Sequence, residues 1–252
     1  MKCYLMSGAG NDFVVLDVRG EKQDLRAMAI RLCRELGVDG MLAVDAADNA
    51  DLRLHFYNPD GLRGEMCGNG ARCVCKFAYD TGMAGEEMTV QTDGGLIYGW
   101  RLEENTYRVQ LNDPGVLELN RLEDVAYVEL GDPGVPHCVT RVPGLTFGHR
   151  QQLWDRALAL RHDPAFPKGV NVNFYDRLGE NKVRIMTFER GVEDFTLACG
   201  TGSASVALVL KELGQLSGNV LEVENAGGDL VIDLRQGIFL EGPAETLHIV
   251  DV

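Results

Sequence analysis

Nowhere does this chain approach the roughly 18 consecutive apolar residues of a membrane-spanning helix. Basic residues are also scarce: 24 Lys and Arg stand against 38 Asp and Glu, a formal net charge of -14, with a sequence pI near 4.8. Binding a phosphate backbone depends on clustered cations that release counterions, so nucleic acid is excluded as an expected partner. The opening MKCYLMSGAGNDFVV interrupts its apolar runs with Gly, Asn and Asp and does not read as a secretory signal. The expectation is a soluble, cytoplasmic protein with no membrane partner. A disulfide framework is missing too: the cysteines, at positions 3, 33, 67, 73, 75, 138 and 199, are odd in number and lack the spacing of a secreted scaffold, which favours reduced thiols. Cys67, Cys73 and Cys75 are six and two positions apart, unlike the short intervals of structural zinc sites, so no metal is expected. No Walker lysine follows either Gly-x-Gly, which weakens a phosphate-binding reading.

What is present is a repeat. The 252 residues, 45% of them hydrophobic, can build one large core or two smaller ones. The strand-like LRLHFY (52–57) leads through the turn Asn58-Pro59-Asp60-Gly61 and Met66-Cys67-Gly68-Asn69-Gly70 into the helical ARCVCKFAYDTG. VRIMTF (183–188) leads in the same way through Glu189-Arg190-Gly191 and Ala198-Cys199-Gly200-Thr201-Gly202 into SASVALVLKELG. Each helix is followed by strand, Gly pair and strand, in MTVQTDGGLIYGWRL and LEVENAGGDLVIDLR. Cys67 precedes Gly94 by 27 positions and Cys199 precedes Gly227 by 28. The pattern predicts an α+β fold of two pseudo-symmetric domains, each a mainly antiparallel twisted sheet or barrel around a central helix. Further helices are expected at about 24–36 and 150–160. The turn-rich Asn112-Asp113-Pro114-Gly115 suggests domains at 1–112 and 113–244, with 245–252 returning to the first.

Each Cys-Gly-x-Gly precedes a helix, where unpaired backbone N–H groups and the positive end of the helix dipole favour anions. A thiol placed there gains thiolate character, and a substrate carboxylate finds a cradle that glycine allows it to approach closely. If the two helix starts meet across an interdomain cleft, one thiolate can take a proton from one face of a carbon while the opposite thiol delivers one to the other. Such a dyad carries one proton between its members. The remaining five cysteines read as small buried hydrophobes.

At these residues the sequence resembles the diaminopimelate epimerase family, through SGAGNDFVVLD, FYNPDG, MCGNGARC, PHCV, GVNVNF, ERGVEDFTLACGTG and NAGGDL. The resemblance implies a homodimeric isomerase that needs no cofactor and converts LL- to meso-diaminopimelate in lysine and peptidoglycan synthesis. It makes Cys67 and Cys199 the acid/base thiols and has Gly68, Asn69, Gly200 and Thr201 bind the reacting carboxylate. Asn11 would contact the substrate near the reacting centre, Glu189 would hold the ammonium and His137 would support the site. Asn58, Asn171 and Arg190 would grip the distal amino-acid group, Arg190 by a bidentate carboxylate contact.

The chain departs from the family in places. Val135-Pro136-His137 replaces the usual Asn-Pro-His, and Asp60-Gly61-Leu62-Arg63 replaces Asp-Gly-Ser-Glu. RELGVDGML also lacks a family glycine and glutamine. Two other functions are therefore open at this point: a related two-cysteine racemase acting on another amino acid, such as histidine or a proline derivative, and a noncatalytic amino-acid or metal-binding module.

Overall fold

The computed structural model describes residues 1–20, 23–64, 67–132 and 134–251. Met66 of the first cysteine motif and Val252, at the end of the segment expected to return to the first domain, lie outside them. The chain divides into two compact units, Met1–Gln110 with Glu241–Val252, and Leu111–Leu240.

In the first unit β1 (Lys2–Ser7) and β2 (Asp12–Asp17) are antiparallel, and α1 (Leu25–Leu36) crosses to β3 (Gly40–Asp45), parallel to β2. Next, β4 (Leu52–Tyr57) runs antiparallel to β3, and α2 (Gly68–Asp80) crosses to β5 (Glu87–Thr92), parallel to β4. Antiparallel β6 (Gly95–Arg101) and β7 (Thr106–Leu111) follow.

The second unit repeats these steps. After β8 (Pro114–Leu122), β9 (Val125–Gly131) and β10 (Gly134–Arg141), all antiparallel, α3 (Arg150–Arg161) crosses to β11 (Asn171–Arg177), parallel to β10. Then β12 (Lys182–Glu189) runs antiparallel to β11 and pairs with the short β13 (Asp194–Thr196). Helix α4 (Gly200–Glu212) crosses to β14 (Val220–Glu224), parallel to β12, and β15 (Leu230–Asp233) turns back. The chain returns through β16 (Ile238–Pro243), paired with β7, and β17 (Glu245–Asp251), antiparallel to β1. A hairpin cannot join parallel strands, so every parallel step requires a crossover. In both units a helix fills that role, twice.

The local chemistry accounts for these elements. Asp24 caps α1 by accepting the Ala27 N–H at 3.1 Å, and Gly37 closes it in the left-handed conformation at φ 68°, as helix ends prefer. Strand β2, DFVVLD, does not alternate because both of its faces are covered. Val14 and Leu16 join Leu32 and Cys33 of α1 in one cluster, while Phe13 and Leu42 face Gly70 of α2. Helix α2 is buried from Gly68 through Ala78, the pattern of a central helix enclosed on all sides. The second unit is packed with aromatics: Trp154 of α3 meets Phe188 edge-on at 5.4 Å, in a cluster with Phe174 and Phe195. Among the described residues no helix is long and apolar enough to cross a membrane.

One detail differs from the sequence reading. The helices after the cysteine motifs begin at Gly68 and Gly200, three residues earlier than ARCV and SASV suggest. Gly-x-Gly forms the first helical turn, where the ladder does not yet use the N–H groups, and the cysteine itself is the cap.

Candidate active site

Cys67 and Cys199 occupy the same structural position in their units. As N-caps of 13-residue helices they adopt φ/ψ of -131°/114° and -127°/111°. In each the sulfur accepts a backbone N–H from the third helical residue, Gly70 at 3.5 Å and Gly202 at 3.4 Å. Ser, Thr, Asp and Asn normally cap this way through oxygen. A sulfur in that role is more polarisable and becomes a better acceptor once it loses its proton, so cap geometry and dipole both favour thiolate.

Close packing requires glycine in the first turn of α4 and not in that of α2. A side chain at Gly202 would overlap Asn173 Oδ1, with Thr187 Oγ1 at 3.2 Å, whereas at Gly70 it would meet only Leu42 Cδ2 at 3.2 Å and Leu42 Cδ1 and the Phe13 ring at 3.5 Å.

In the first unit the Ser7–Asn11 turn presses on the start of α2, and a Cβ on Gly8 would lie 2.7 Å from the Asn69 carbonyl. That approach sets Asn11 beside the thiol. Asn11 Oδ1 accepts from Asn69 Nδ2 at 3.4 Å and lies 3.8 Å from Cys67 Sγ, and Asn11 Nδ2 donates to Asp39 at 2.7 Å. Asn11, Cys67, Gly68 and Asn69 thus form one constellation. Asn58 stands apart from it in the turn after β4, where its N–H donates to the Leu62 carbonyl and its carbonyl accepts from Gly61, both at 2.9 Å.

In the second unit the polar groups converge beneath α4. His137 and Asn171 are direct neighbours on parallel β10 and β11. Asn171 Oδ1 accepts the Arg190 N–H at 2.8 Å and its Nδ2 donates to the Pro136 carbonyl at 3.1 Å. Arg190 is exposed and donates from Nη1 to the Lys168 carbonyl at 2.8 Å. Glu189 accepts from the Thr196 hydroxyl at 2.6 Å, and Thr201 Oγ1 lies 3.5 Å from Cys199 Sγ.

His137 is completely buried. Its Nδ1 faces the Asn173 amide nitrogen at 3.2 Å, a donor, so the imidazole proton sits on Nε2, and Nε2 finds no acceptor among the described residues. A buried donor left unmatched costs about 1–3 kcal/mol and is suited to a polar group brought by a ligand. Burial first, and then the positive charge of Arg190, pull the His137 pKa down to about 3. The residue is therefore neutral at physiological pH. Below the ordinary value of 6.5 the unfolded chain binds a proton that the folded one does not, so stability is full above 6.5 and falls as pH drops toward 3, by about 1.4 kcal/mol per unit at most. The expected result is an imidazole resonance still in its neutral position at pH 5, with a midpoint of urea unfolding that declines from pH 7 to pH 5. A protonated His137 in the folded protein at pH 5 would contradict this geometry.

The sequence model for diaminopimelate epimerase matches residues 3–114 and 131–247. A diaminopimelate epimerase of Methanothrix thermoacetophila is 38% identical over 96% of this chain and 92% of its own, and that of Chlorobaculum tepidum is 32% identical over 96% and 98%. The chain belongs to the diaminopimelate epimerase family. Among solved structures a Bacillus anthracis phenazine biosynthesis protein has the same fold at TM-score 0.75 and 12% identity, covering 100% of this chain and 98% of that one. A hydroxyproline epimerase from Agrobacterium vitis superposes at TM-score 0.71 and 18% identity, covering 99% and 91%.

Three residues that the sequence did not single out contact the candidate site residues. Asn173 is fully buried, donates to the Cys138 carbonyl at 2.9 Å and accepts the Thr187 hydroxyl at 2.9 Å. It shares a strand face with Asn171, two positions away, a period-two signal that GVNVNF displays. Thr187 had no such signal. Arg72, fully buried in α2, sits inside the MCGNGARC motif, and its burial could not be read from a helix that also carries Asn69, Lys76 and Asp80.

Proposed function

We propose that this protein epimerises LL-diaminopimelate to meso-diaminopimelate, with Cys67 and Cys199 taking and delivering the Cα proton. The observation that carries this reading is the pair of cysteine N-caps, alike in dihedral angles and in the Gly N–H bond to sulfur. Inversion at Cα needs a base on one face and an acid on the other, and two equivalent thiols serve in either direction. In this reading Gly68, Asn69, Gly200 and Thr201 receive the reacting carboxylate at the two helix starts, where developing negative charge is also stabilised. Glu189 takes the reacting ammonium and Asn11 the region beside Cys67. Asn58, Asn171 and Arg190 hold the distal amino-acid group, and the His137 Nε2–H donates to a polar atom of the bound substrate. Arg190 keeps guanidinium donors beyond the one directed at Lys168, as a distal carboxylate requires. The protein is taken to be a cytoplasmic homodimer, a state that light scattering in solution tests directly.

Val135, in place of the family asparagine, favours a second reading, a racemase for another amino acid. Both are tested by deuterium wash-in at Cα with LL-diaminopimelate and a panel of single-centre amino acids that includes histidine and proline derivatives. Exchange with diaminopimelate is the expected outcome. Exchange confined to another amino acid would establish the second reading, and stoichiometric binding without exchange would make the protein a binding module.

A further inference from the structure

The two cysteine turns agree in backbone, but the helices behind them differ in charge. Five positions after Cys67 stands Arg72; five after Cys199 stands Ala204, and α4 has no cation before Lys211. The buried Arg72 guanidinium donates to the Gly68 carbonyl at 3.4 Å, to Asn69 Oδ1 at 3.2 Å and to the Pro243 carbonyl at 3.3 Å. These acceptors are all neutral, and among the described residues no carboxylate pairs with it. A buried cation without a counter-ion is costly, and the structure gains by supplying an anion. Burial pulls the Arg72 pKa down to about 10, and negative charge on Cys73, Cys67 or Cys75 would draw it back up. Cys73 and Cys75 are sealed in the core, which pushes their thiols up to about 12. Cys67 is half-buried and already accepts the Gly70 N–H.

We propose that Arg72 assigns the resting negative charge of the thiol pair to Cys67 and leaves Cys199 as the thiol. The inference rests on the two-thiol reading above. Arg72 touches no substrate in this role and is a positioning residue: its fork holds Gly68 and Asn69, and its charge is the fixed cation at this end of the helix. Loss of the Cys67 proton gives up the long 3.8 Å contact to Asn11 Oδ1, which Asn69 Nδ2 continues to satisfy.

Other charges face α2 as well. Asp12 and Asp39 stand at the β2 and β3 ends, and Asp39 accepts both Asn11 Nδ2 and the Asp12 N–H. These carboxylates oppose a thiolate, which makes a cation at the helix start the deciding group. Lys76 is held by Asp80 at 2.9 Å, and Tyr4 and Arg101 pack on Phe77 and Tyr79 near the far end of the helix, where Tyr107 also lies.

The test follows iodoacetamide alkylation against pH, by mass mapping, in the single-thiol forms Cys199→Ala and Cys67→Ala. Cys3, Cys33, Cys73, Cys75 and Cys138 are buried with thiols pushed up and form a slow background. With Arg72 intact, the Cys67 midpoint is expected at least about one pH unit below that of Cys199, the usual size for a nearby opposite charge. Arg72→Met should raise the Cys67 midpoint by about one pH unit or more without moving Cys199, and Arg72→Lys should keep most of the difference. A Cys199 midpoint equal to or below that of Cys67, or an Arg72→Met protein with an unmoved Cys67, overturns the proposal. If Arg72→Met does not fold by circular dichroism, the comparison with Arg72 intact decides alone. Alkylation needs no turnover, whereas the two-thiol reading fails in the wash-in and inversion assays, so the two failures are distinguishable.

Discussion

Alanine at either Cys67 or Cys199 is expected to lower the rate of stereochemical inversion of diaminopimelate by at least about 10²–10⁴-fold, the usual contribution of a positioned acid or base. In the proposed mechanism the two proton transfers are separate duties on opposite faces of Cα, so the surviving thiol does not compensate for the missing one. Each sulfur is also a helix cap, and removing a cap costs about 0.5–2 kcal/mol, so a loss of stability could be mistaken for a loss of chemistry. Serine separates the two effects. Its hydroxyl is a strong N-cap acceptor for the Gly70 or Gly202 N–H but a far weaker acid than a thiol. Cys67→Ser and Cys199→Ser should therefore melt close to the parent protein and still fail to invert the substrate, as followed by chiral separation of the LL and meso forms. Inversion within tenfold of the parent rate in either alanine variant would remove that cysteine from the mechanism.

The repeat was legible because it is written in short-range signals: matched cysteine turns, Gly pairs downstream, and helices of like length. The crossovers follow from the same order of strand and helix, and α1 and α3 fall at Leu25–Leu36 and Arg150–Arg161, close to the expected 24–36 and 150–160. What could not be read depends on partners distant in sequence. Arg63, which departs from the family pattern in the loop after β4, bonds Asp93 at 2.7 Å and His55 at 2.8 Å and lies 5.6 Å from the centre of the Tyr57 ring. Asp93 is thirty positions away in the Gly-pair turn, and no spacing rule links the two. His137 is a similar case: its identity suggested a polar group at the site, but its burial emerges only in the fold, and the Nε2 tautomer follows from Asn173 on the adjacent strand. The cysteine caps lie between these extremes. Their helical context was visible, whereas the sulfur serving as the cap acceptor emerged only from the backbone geometry.

Alanine at Gly202 is expected to be far more damaging than alanine at the matched Gly70, although the two glycines hold the same place relative to their cysteines. A Cβ on Gly202 overlaps Asn173 Oδ1, and Asn173 has nowhere to go. Its oxygen receives the Thr187 hydroxyl at 2.9 Å and its nitrogen donates to the Cys138 carbonyl at 2.9 Å, all in the buried interior. Either the amide turns away, leaving buried polar atoms unmatched at about 1–3 kcal/mol, or the start of α4 is pushed out and the 3.4 Å Gly202 N–H bond to Cys199 is lost. Overpacking of this kind typically costs about 1–3 kcal/mol in its own right. At Gly70 the nearest atoms are a Leu42 methyl and the Phe13 ring, apolar groups that can yield by a few tenths of an ångström. Gly202→Ala should thus lose both stability in urea and inversion activity, with Gly70→Ala much nearer the parent in each. The cause is isolated by adding Asn173→Ala: residues in contact couple by about 0.5–3 kcal/mol, so the double variant should be more stable than the sum of the single losses predicts. Additive losses, or equal losses at the two glycines, would mean that contact with Asn173 is not what requires glycine at the start of α4.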